Sequence, residues 1–524
     1  SHFSYGMSAL ERVHGQRFVA IGLNVIAVAL WGLHLYVRWL PPTPAPIPSP
    51  SDAEASWWGL WPATYAPVWF ISLATVLVLG LIGVLWLWPW TLKPPGPSHS
   101  ASASLSSSPI VPASTASASS MFLLGAMGLL LVWAFFTFPI VHTRWGDAYL
   151  INKALAWPDQ ALRLTHSWQA PLDVFLHSQL WLLLHEAFQW QDAAPVYRLL
   201  SPLAGLCYLI VALILSRQQW LGPAWLTFGS LATLGLIQLF FGYIENYSFA
   251  AAGILLYLGL GLAALRGRVP LWAAALALAV TNATHPSTVV LAPSLLYIGW
   301  QLAARTAASA HTTHKPPRYS LRMAALQIGL PVIAVALATV LFMEVGGHGI
   351  QALLTDDRPG GGDARWLVPL WATSTRWEYY TMFSWGHLRD FLNEQMLVAP
   401  VVLPSLVWIG METFRRRRSH KRSLTASQPL EATGRRAADF DFLLIATLCY
   451  IGFIWLWNPD YGGQRDWDLF SLASIPAALL FSESVALVLP ERQYLRTGAL
   501  PLLIIQALHT IIWIYQNTLP WEWP

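Results

Sequence analysis

Charged residues and cysteines are both scarce in this sequence. Asp, Glu, Lys and Arg make up 11% of the 524 residues, whereas a soluble globular domain carries roughly 25%. The two cysteines, Cys207 and Cys449, lie inside apolar runs, so the sequence has neither a disulfide framework nor a CxxC metal pattern. The polar start lacks the short apolar core and small-residue cleavage site of a secretory signal. We therefore expect the first apolar run to be retained as a membrane helix.

Long apolar runs dominate the rest of the chain. Hydrophobic residues make up 55% of it, and many of the 30 Trp lie near the ends of these runs, as in interfacial aromatic belts. Each run is close to the ~20 residues that a helix needs to cross the hydrocarbon core, and lipid cannot satisfy free backbone groups. The sequence predicts an all-α polytopic membrane protein with about thirteen transmembrane helices. The predicted spans are 18–40, 66–90, 121–141, 197–216, 222–242, 247–265, 270–284, 287–304, 323–343, 395–413, 440–457, 470–489 and 498–515.

The distribution of charge predicts the orientation of these spans. With the N-terminus on the cytoplasmic side, the inner segments hold 20 of the 30 Lys and Arg, and the outer segments hold 19 of the 26 Asp and Glu. Basic residues favour the cytoplasmic side of a membrane. The sequence therefore predicts a multi-pass protein of the plasma membrane with a cytoplasmic N-terminus and an acidic outer face.

Two low-complexity stretches divide the chain. Residues 41–56 are rich in Pro, and residues 95–120 are rich in Ser, Ala and Pro. Both compositions are typical of flexible linkers. They predict an N-terminal extension of two helices, residues 1–120, ahead of a larger transmembrane domain, residues 121–524.

The first long outer loop, 142–196, offers a candidate base and a surface helix. Asp147 follows an apolar helix within a few residues, and an acid that is partly desolvated at a membrane surface can act as a base. The alternative is that Asp147 caps the helix that begins at Ala148. Apolar residues at helical spacing between Leu172 and Phe188 predict an amphipathic helix at the interface.

The second outer loop, 344–394, holds two polar segments. The segment DDRPGGGDAR could bind a cation or a phosphate-bearing group, or it could be a solvated loop. His387, Arg389 and Asp390 precede the tenth predicted span. They are candidates for substrate contact, and helix-end capping is the alternative.

The third outer loop reads NPDYGGQRDWDLF. Arg465 carries a guanidinium, which suits the paired oxygens of a phosphate. Asp466 and Asp468 have a D-x-D spacing that can place two carboxylates near one metal ion or one sugar. The alternatives are an internal Arg–Asp pair and a chance D-x-D.

Two tight outer hairpins carry further candidates. FFGYIENYS places Glu245 and Asn246 between two apolar runs, and NATHPS does the same for His285. An ionisable residue in such a short apolar turn indicates function, and interfacial solvation is the alternative. All the candidates of this and the preceding loops lie on the predicted outer face.

The first loop resembles that of the GT-C superfamily of membrane glycosyltransferases. In those enzymes the first outer loop carries an acidic residue soon after a transmembrane helix, followed by juxtamembrane amphipathic helices. WGDAYLINKAL and QAPLDVFLHSQLWLLL resemble this arrangement, and FFGYIENYS, HPS and RDWDLF are similar to motifs of bacterial members without an assigned substrate. The resemblance covers roughly residues 121–515. The family's acidic loop usually follows the first helix, and here it follows the third, as expected if residues 1–120 are an addition.

The resemblance implies inverting transfer of a sugar from a polyprenyl-phosphate donor to an acceptor at the outer face. Asp147 would take the proton of the acceptor, Arg465 would stabilise the leaving phosphate, and His387 would also contact the donor. The other candidates would orient sugar hydroxyls or hold a divalent metal, Mg or Mn. They are Glu245, Asn246, His285, Asp390, Asp466 and Asp468.

Two other classes of protein stay open at the level of sequence. A lipid or sugar transporter would carry ionisable residues near the middle of the membrane and internal repeats. A non-catalytic subunit of a membrane assembly would fit the added N-terminal helices. The expected partners are a lipid-linked sugar, membrane lipid, and a protein acceptor or the partners of a membrane complex, but no nucleic acid.

Overall fold

The fold is a bundle of helices. The computed structural model describes residues 9–47, 49–87, 118–218, 221–313, 319–355, 365–410, 412 and 430–522. Within these ranges the chain is helical apart from loops and one β-bridge between Leu367 and Trp457. The prediction of an all-helical, polytopic membrane protein is therefore confirmed. Most of the segment DDRPGGGDAR, most of the Ser-rich linker and much of the basic loop after residue 412 lie outside the described residues.

Nineteen helices are described. In chain order they are α1 (Ala9–Arg38), α2 (Asp52–Trp57), α3 (Val68–Leu87), α4 (Ala118–Thr137), α5 (Ala148–Leu155), α6 (Pro171–Phe188), α7 (Ala194–Arg217), α8 (Ala224–Ala232), α9 (Ser248–Leu265), α10 (Leu271–Thr284), α11 (Ala292–Thr313), α12 (Leu321–Val345), α13 (Ile350–Leu354), α14 (Trp385–Val398), α15 (Val402–Gly410), α16 (Leu430–Leu456), α17 (Trp467–Ser471), α18 (Ser474–Val488) and α19 (Arg492–Asn517).

Ten helical segments in the described ranges are long and apolar enough to cross a membrane. They lie in α1, α3, α4, α7, α9, α11, α12, α16, the α17–α18 pair and α19. The thirteen predicted spans are not confirmed by these ten segments. The run 222–242 splits into α8 and a 3-10 helix, Gly235–Phe240, and the run 270–284 forms only the short α10. The run 395–413 falls on a bend of 104° between α14 and α15, and counting that pair as one span gives eleven.

The two broken runs differ in their local sequence. Pro400 lies at the α14–α15 bend, and proline both lacks a backbone N–H and disfavours helical backbone at the residue before it. The break after α8 contains no proline. Gly235 follows it, and any side chain there would collide with the main-chain carbonyl of Leu397. The two breaks therefore touch each other.

Polar side chains of α19 satisfy the carbonyls that the breaks release. His509 Nε2 donates to the Leu397 carbonyl at 2.9 Å. Thr510 donates to the Thr233 carbonyl at 2.6 Å, and Gln506 Nε2 reaches the Thr233 hydroxyl at 2.9 Å. Non-helical backbone at membrane depth is tolerated where the protein itself supplies such partners.

The N-terminal segment is packed into the bundle. Helix α1 lies along α19, where His34 and His509 are in hydrogen-bond contact at 2.9 Å. The Pro-rich stretch, expected to be a flexible linker, contains α2 and the buried side chains of Thr43 and Glu54. The domain boundary at residue 120 stays a prediction.

The segment predicted to be an amphipathic helix in the first loop forms the helix α6, but its packing differs from the expectation. Its buried face carries Asp173, His177 and Trp181, whereas Leu183 and Phe188 are exposed. The exposed part of the predicted apolar stripe therefore faces away from the interior of the bundle.

One end of the bundle gathers the loops that carry the candidate residues. The C-terminal ends of α4, α16 and α19 meet the N-terminal ends of α9 and α17 there. The chain after α4 is tied to the end of α19 by a hydrogen bond from Val141 N to Asn517 O, at 3.3 Å. This end positions the site.

Candidate functional site

Two loops that are far apart in sequence are joined main chain to main chain. Gly146 N donates to the Arg465 carbonyl at 2.9 Å, and Arg465 Nη2 donates to the Gly146 carbonyl at 3.1 Å. Gly146 has a φ of +51°, and a Cβ at this position would collide with the Glu245 carboxylate. Glycine is therefore required both by the backbone conformation and by the close approach.

Tyr461 connects the main candidates. Its hydroxyl donates to Asp147 Oδ1 at 2.7 Å, and the Arg465 guanidinium carbon lies 4.6 Å from its ring centroid. Its backbone N–H donates to Asp466 Oδ2 at 2.8 Å. Asp147 occupies the N-cap position of α5, but its side chain makes no capping hydrogen bond. The half-buried Asp147 carboxylate is instead held by a phenol.

Two buried carboxylates lie behind Asp147. Glu245 accepts a hydrogen bond from the Asp147 backbone N–H, and Asp468 Oδ2 accepts one from the Tyr243 hydroxyl at 2.8 Å. Only 5% of Glu245 and 2% of Asp468 is exposed. Acidic side chains are rarely this buried, because removing them from water lowers the stability of the folded state.

Burial changes the protonation of this cluster. Burial, with the Asp468 and Asp147 carboxylates nearby, raises the pKa of Glu245 well above its ordinary value. Burial and the neighbouring Asp468 carboxylate also raise the pKa of Asp466, against the effect of the Tyr461 N–H. The neutral acid is favoured at both positions, which reduces the negative charge of the site.

The raised pKa of Glu245 predicts how the stability of the protein depends on pH. A carboxyl with a raised folded pKa contributes stability that is fully present below its ordinary pKa, 4.5 for Glu245, and is lost as pH rises through the raised value. The melting temperature should therefore fall as pH rises from about 5 to about 9, and it should fall less in Glu245→Gln. Thermal unfolding across this range measures the slope. Glu186→Gln, an exposed match on α6, should keep the wild-type slope, and an equal slope in Glu245→Gln would contradict the prediction.

The D-x-D carboxylates have different hydrogen-bond partners. Asp466 accepts from the Tyr461 N–H, and Asp468 from Tyr243 and from its own neighbour Leu469. Among the described residues, no group of three or more His, Cys, Asp or Glu is arranged to hold a metal ion.

Asp390 and His387 lie on the other side of the third loop. A Cβ at Gly463 would come within 3.1 Å of Asp390 Oδ2, so that loop packs directly on α14. Trp58 Nε1 donates to Asp390 Oδ1 at 3.1 Å, and His387 Nδ1 donates to the Met382 carbonyl at 2.8 Å. The cap of α14 is Ser384, which accepts from the His387 N–H.

The hairpin residues differ in their placement. His285 caps the short helix that follows it, where its Nδ1 accepts from the Ser287 N–H at 3.3 Å, and its ring lies 4.5 Å from that of Tyr247. Asn246 is buried, and its Oδ1 has no hydrogen-bond partner among the described atoms. His285 therefore contacts the ring of Tyr247 and not the carboxylates themselves. Asn246 directly follows Glu245 in the chain.

A buried ion pair contacts both of the joined loops, the one that carries Gly146 and the one that carries Arg465. Arg144 pairs with Glu54 of α2, and its guanidinium carbon lies 4.5–5.1 Å from the ring centroids of three tryptophans, Trp61, Trp145 and Trp521. Gln464, next to Arg465, donates to Glu54 Oε1 at 2.9 Å. One carboxylate of the N-terminal segment therefore contacts both loops.

Removal of that charge should affect stability and activity together. Glu54→Gln leaves Arg144 buried without a counter-ion, and breaking a buried pair costs about 3–5 kcal/mol. We expect a lower melting temperature and a partial loss of the activity proposed below, measured on the same preparation. In a double-mutant cycle, Arg144→Gln should cost little more once Glu54 is changed. Strictly additive effects would contradict the coupling.

Four residues of this site were missed by the sequence reasoning. Tyr461 lies within NPDYGGQRDWDLF and could have been found there. Glu394 is buried on α14 and follows Asp390 by one helical turn, which is a usable signal. Tyr243 and Glu54 gave no signal, because their partners are distant in the chain.

Comparisons with known proteins do not identify a family for this chain. No protein-family model matches the chain, and neither a curated protein nor a solved structure does. The fold defines the protein as a polytopic helical membrane protein. Membership of the GT-C superfamily stays a prediction.

Proposed function

We propose that this protein is a GT-C-like membrane glycosyltransferase, which moves a sugar from a polyprenyl-phosphate donor to an acceptor with inversion. The observation that carries the proposal is the junction of the Asp147 and Arg465 loops, where Tyr461 contacts both side chains. It brings a candidate base and a phosphate-binding cation together at one end of the membrane helices.

Asp147 acts as the base. It takes the proton of the acceptor hydroxyl while the acceptor oxygen attacks the anomeric carbon from the face opposite the phosphate. A base must lie within hydrogen-bond reach of that proton. Asp147 is half-buried, whereas Glu245, Asp466 and Asp468 are buried, so Asp147 is the most accessible of these four acids. Its contact with Tyr461 orients the carboxylate.

Arg465 stabilises the leaving group. The bond from the anomeric carbon to the phosphate oxygen breaks, and its electron pair stays on the polyprenyl phosphate. The guanidinium presents donors in a fixed fork that matches phosphate oxygens, and its stabilisation counts most where charge develops in the transition state. The hydrogen bond to the Gly146 carbonyl fixes its position.

The raised pKa values of Glu245 and Asp466 support the same reading. Ionised carboxylates at both positions would repel an anionic donor. Neutral acids reduce that repulsion and can donate hydrogen bonds to sugar oxygens. Asp468, Asn246 and Asp390 are then available to orient sugar hydroxyls, and a bound Mg or Mn ion is not needed for this scheme.

The distribution of basic residues supports a plasma-membrane protein whose site faces outward. A lipid-linked donor arrives within the bilayer, so a site at the end of the helices suits it. Single cysteines introduced at positions 102 and 360 should react with impermeant reagents from opposite sides of the membrane. Reaction from the same side would contradict this orientation.

The function can be tested directly. The purified protein in lipid nanodiscs is incubated with radiolabelled polyprenyl-phosphate hexoses and pentoses, with a membrane extract as the source of acceptor. We expect transfer or slow release of the sugar, with the opposite anomeric configuration in the product by NMR. No turnover of any donor, in a preparation that unfolds cooperatively, would contradict the proposal.

A further inference from the structure

A small cavity lies beside the carboxylate cluster, between α14 and the third loop. Its polar lining is His387, Asp390 and Glu394, which follow one another at three- and four-residue spacing on α14. Such spacing places the three side chains on one face of a helix. Tyr380, Phe391 and Phe470 contribute aromatic walls.

Glu394 is the unexplained member of this lining. Only 1% of the residue is exposed, and both carboxylate oxygens lack a hydrogen-bond partner among the described atoms. Leaving a buried acceptor unsatisfied is costly, more so for a carboxylate. A group that donates hydrogen bonds from within the cavity would remove that cost.

The neighbouring lining groups already have partners. Asp390 accepts from the Trp58 indole. The His387 ring donates to the Met382 carbonyl and lies 4.8 Å from the Tyr380 ring in a stacked arrangement. They form a rigid, preorganised frame around Glu394, as expected of a binding site.

The cavity is adjacent to the proposed reaction centre. Gly463 and Phe470 both line it, and they flank Arg465, Asp466 and Asp468 in the chain. Its free volume is about 10 Å³, which is room for about one water-sized group. The cavity can therefore take one polar substituent of a molecule bound over Asp466 and Asp468.

We propose that this cavity receives one hydroxyl group of the transferred sugar, with Glu394 as the acceptor of its hydrogen bond. The inference rests on the proposed function, and it assigns Glu394 as a specificity-determining residue for the donor sugar. A sugar that lacks the matching hydroxyl should leave Glu394 unsatisfied and bind poorly.

The test measures binding without turnover, so it can fail independently of the proposed function. Methyl pyranosides of several hexoses and pentoses are titrated against the protein in lipid nanodiscs by saturation-transfer NMR. The tightest one is then compared with its single-deoxy derivatives. In the wild type, loss of one particular hydroxyl should weaken binding by about tenfold, because it leaves the buried Glu394 carboxyl without a hydrogen-bond partner.

Glu394→Leu removes the acceptor, and Glu394→Gln keeps one in nearly the same shape. We expect the parent sugar and the deoxy sugar to bind Glu394→Leu equally, while Glu394→Gln retains part of the discrimination. The exposed match Glu186→Gln should behave as the wild type, and the helical signal of each variant controls for folding.

Two results would overturn the inference. One is the absence of binding of every pyranoside to the wild type. The other is equal discrimination in Glu394→Gln, Glu394→Leu and the wild type, which would mark the cavity as a site for water alone. Sugar binding with no transfer from any lipid donor would instead contradict the proposed function and leave the cavity assignment supported.

Discussion

Asp147→Asn should lower the rate of sugar transfer by about 10²–10⁴-fold, which is the usual contribution of a general base. The amide still accepts the hydrogen bond from the Tyr461 hydroxyl, so the joined loops should keep their geometry. The loss should therefore appear in the rate of a single turnover and not in the melting temperature. The measurement is release of label from a polyprenyl-phosphate sugar, with enzyme in excess over donor.

A matched change controls for the substitution itself. Asp159 belongs to the same long loop, is exposed, and caps a short helix. Asp159→Asn should leave the rate within about twofold of the wild type, as for a surface change away from special features. An undiminished rate in Asp147→Asn would remove Asp147 as the base.

Arg465→Lys should lower the rate by about 10²–10³-fold, the effect of removing one donor to developing charge. Lysine keeps the positive charge but loses the fork that bonds the Gly146 carbonyl and suits a phosphate. Because the interaction grows as the phosphate departs, kcat should fall much more than KM rises.

Arg163 offers a close control for this substitution. It donates to a backbone carbonyl, that of Trp157, at 2.7 Å, and its guanidinium carbon lies 4.9 Å from the Trp181 ring centroid. It thus shares the bonding pattern of Arg465 at a different place in the same protein. Arg163→Lys should leave kcat nearly unchanged. If Arg465→Lys behaves in the same way, the leaving group is stabilised by other residues.

The membrane character of the fold was predictable because hydropathy reports directly on the environment of each helix. The breaks within the runs were not, since a broken run has the same composition as a continuous one. Pro400 marked one break in the sequence. The break after α8 had no such mark, and it involves a close approach of Gly235 to the distant Leu397 backbone.

The assembly of the site was partly predictable for a similar reason. Charge and alternation predicted that Asp147, Glu245 and Arg465 lie on one face, and the structure brings these three residues together at one end of the bundle. Charge and alternation could not show which side chains touch. The pairing of Arg144 with Glu54 depends on the packing of α2 beneath the site, and a Pro-rich stretch gives no pattern that predicts it.

The packing of α1 against α19 has a consequence for the making of the protein. A chain synthesised at about 5–20 residues per second needs on the order of a minute between its first and its last membrane helix. During that time α1 lacks its main neighbour, and the released carbonyls of Thr233 and Leu397 await the side chains of α19. Nascent α1 therefore has to rely on lipid, or on the insertion machinery, until synthesis is complete. We expect ribosome-stalled chains that end before residue 490 to be sensitive to protease at the loops of the site, and chains that include α19 to be resistant.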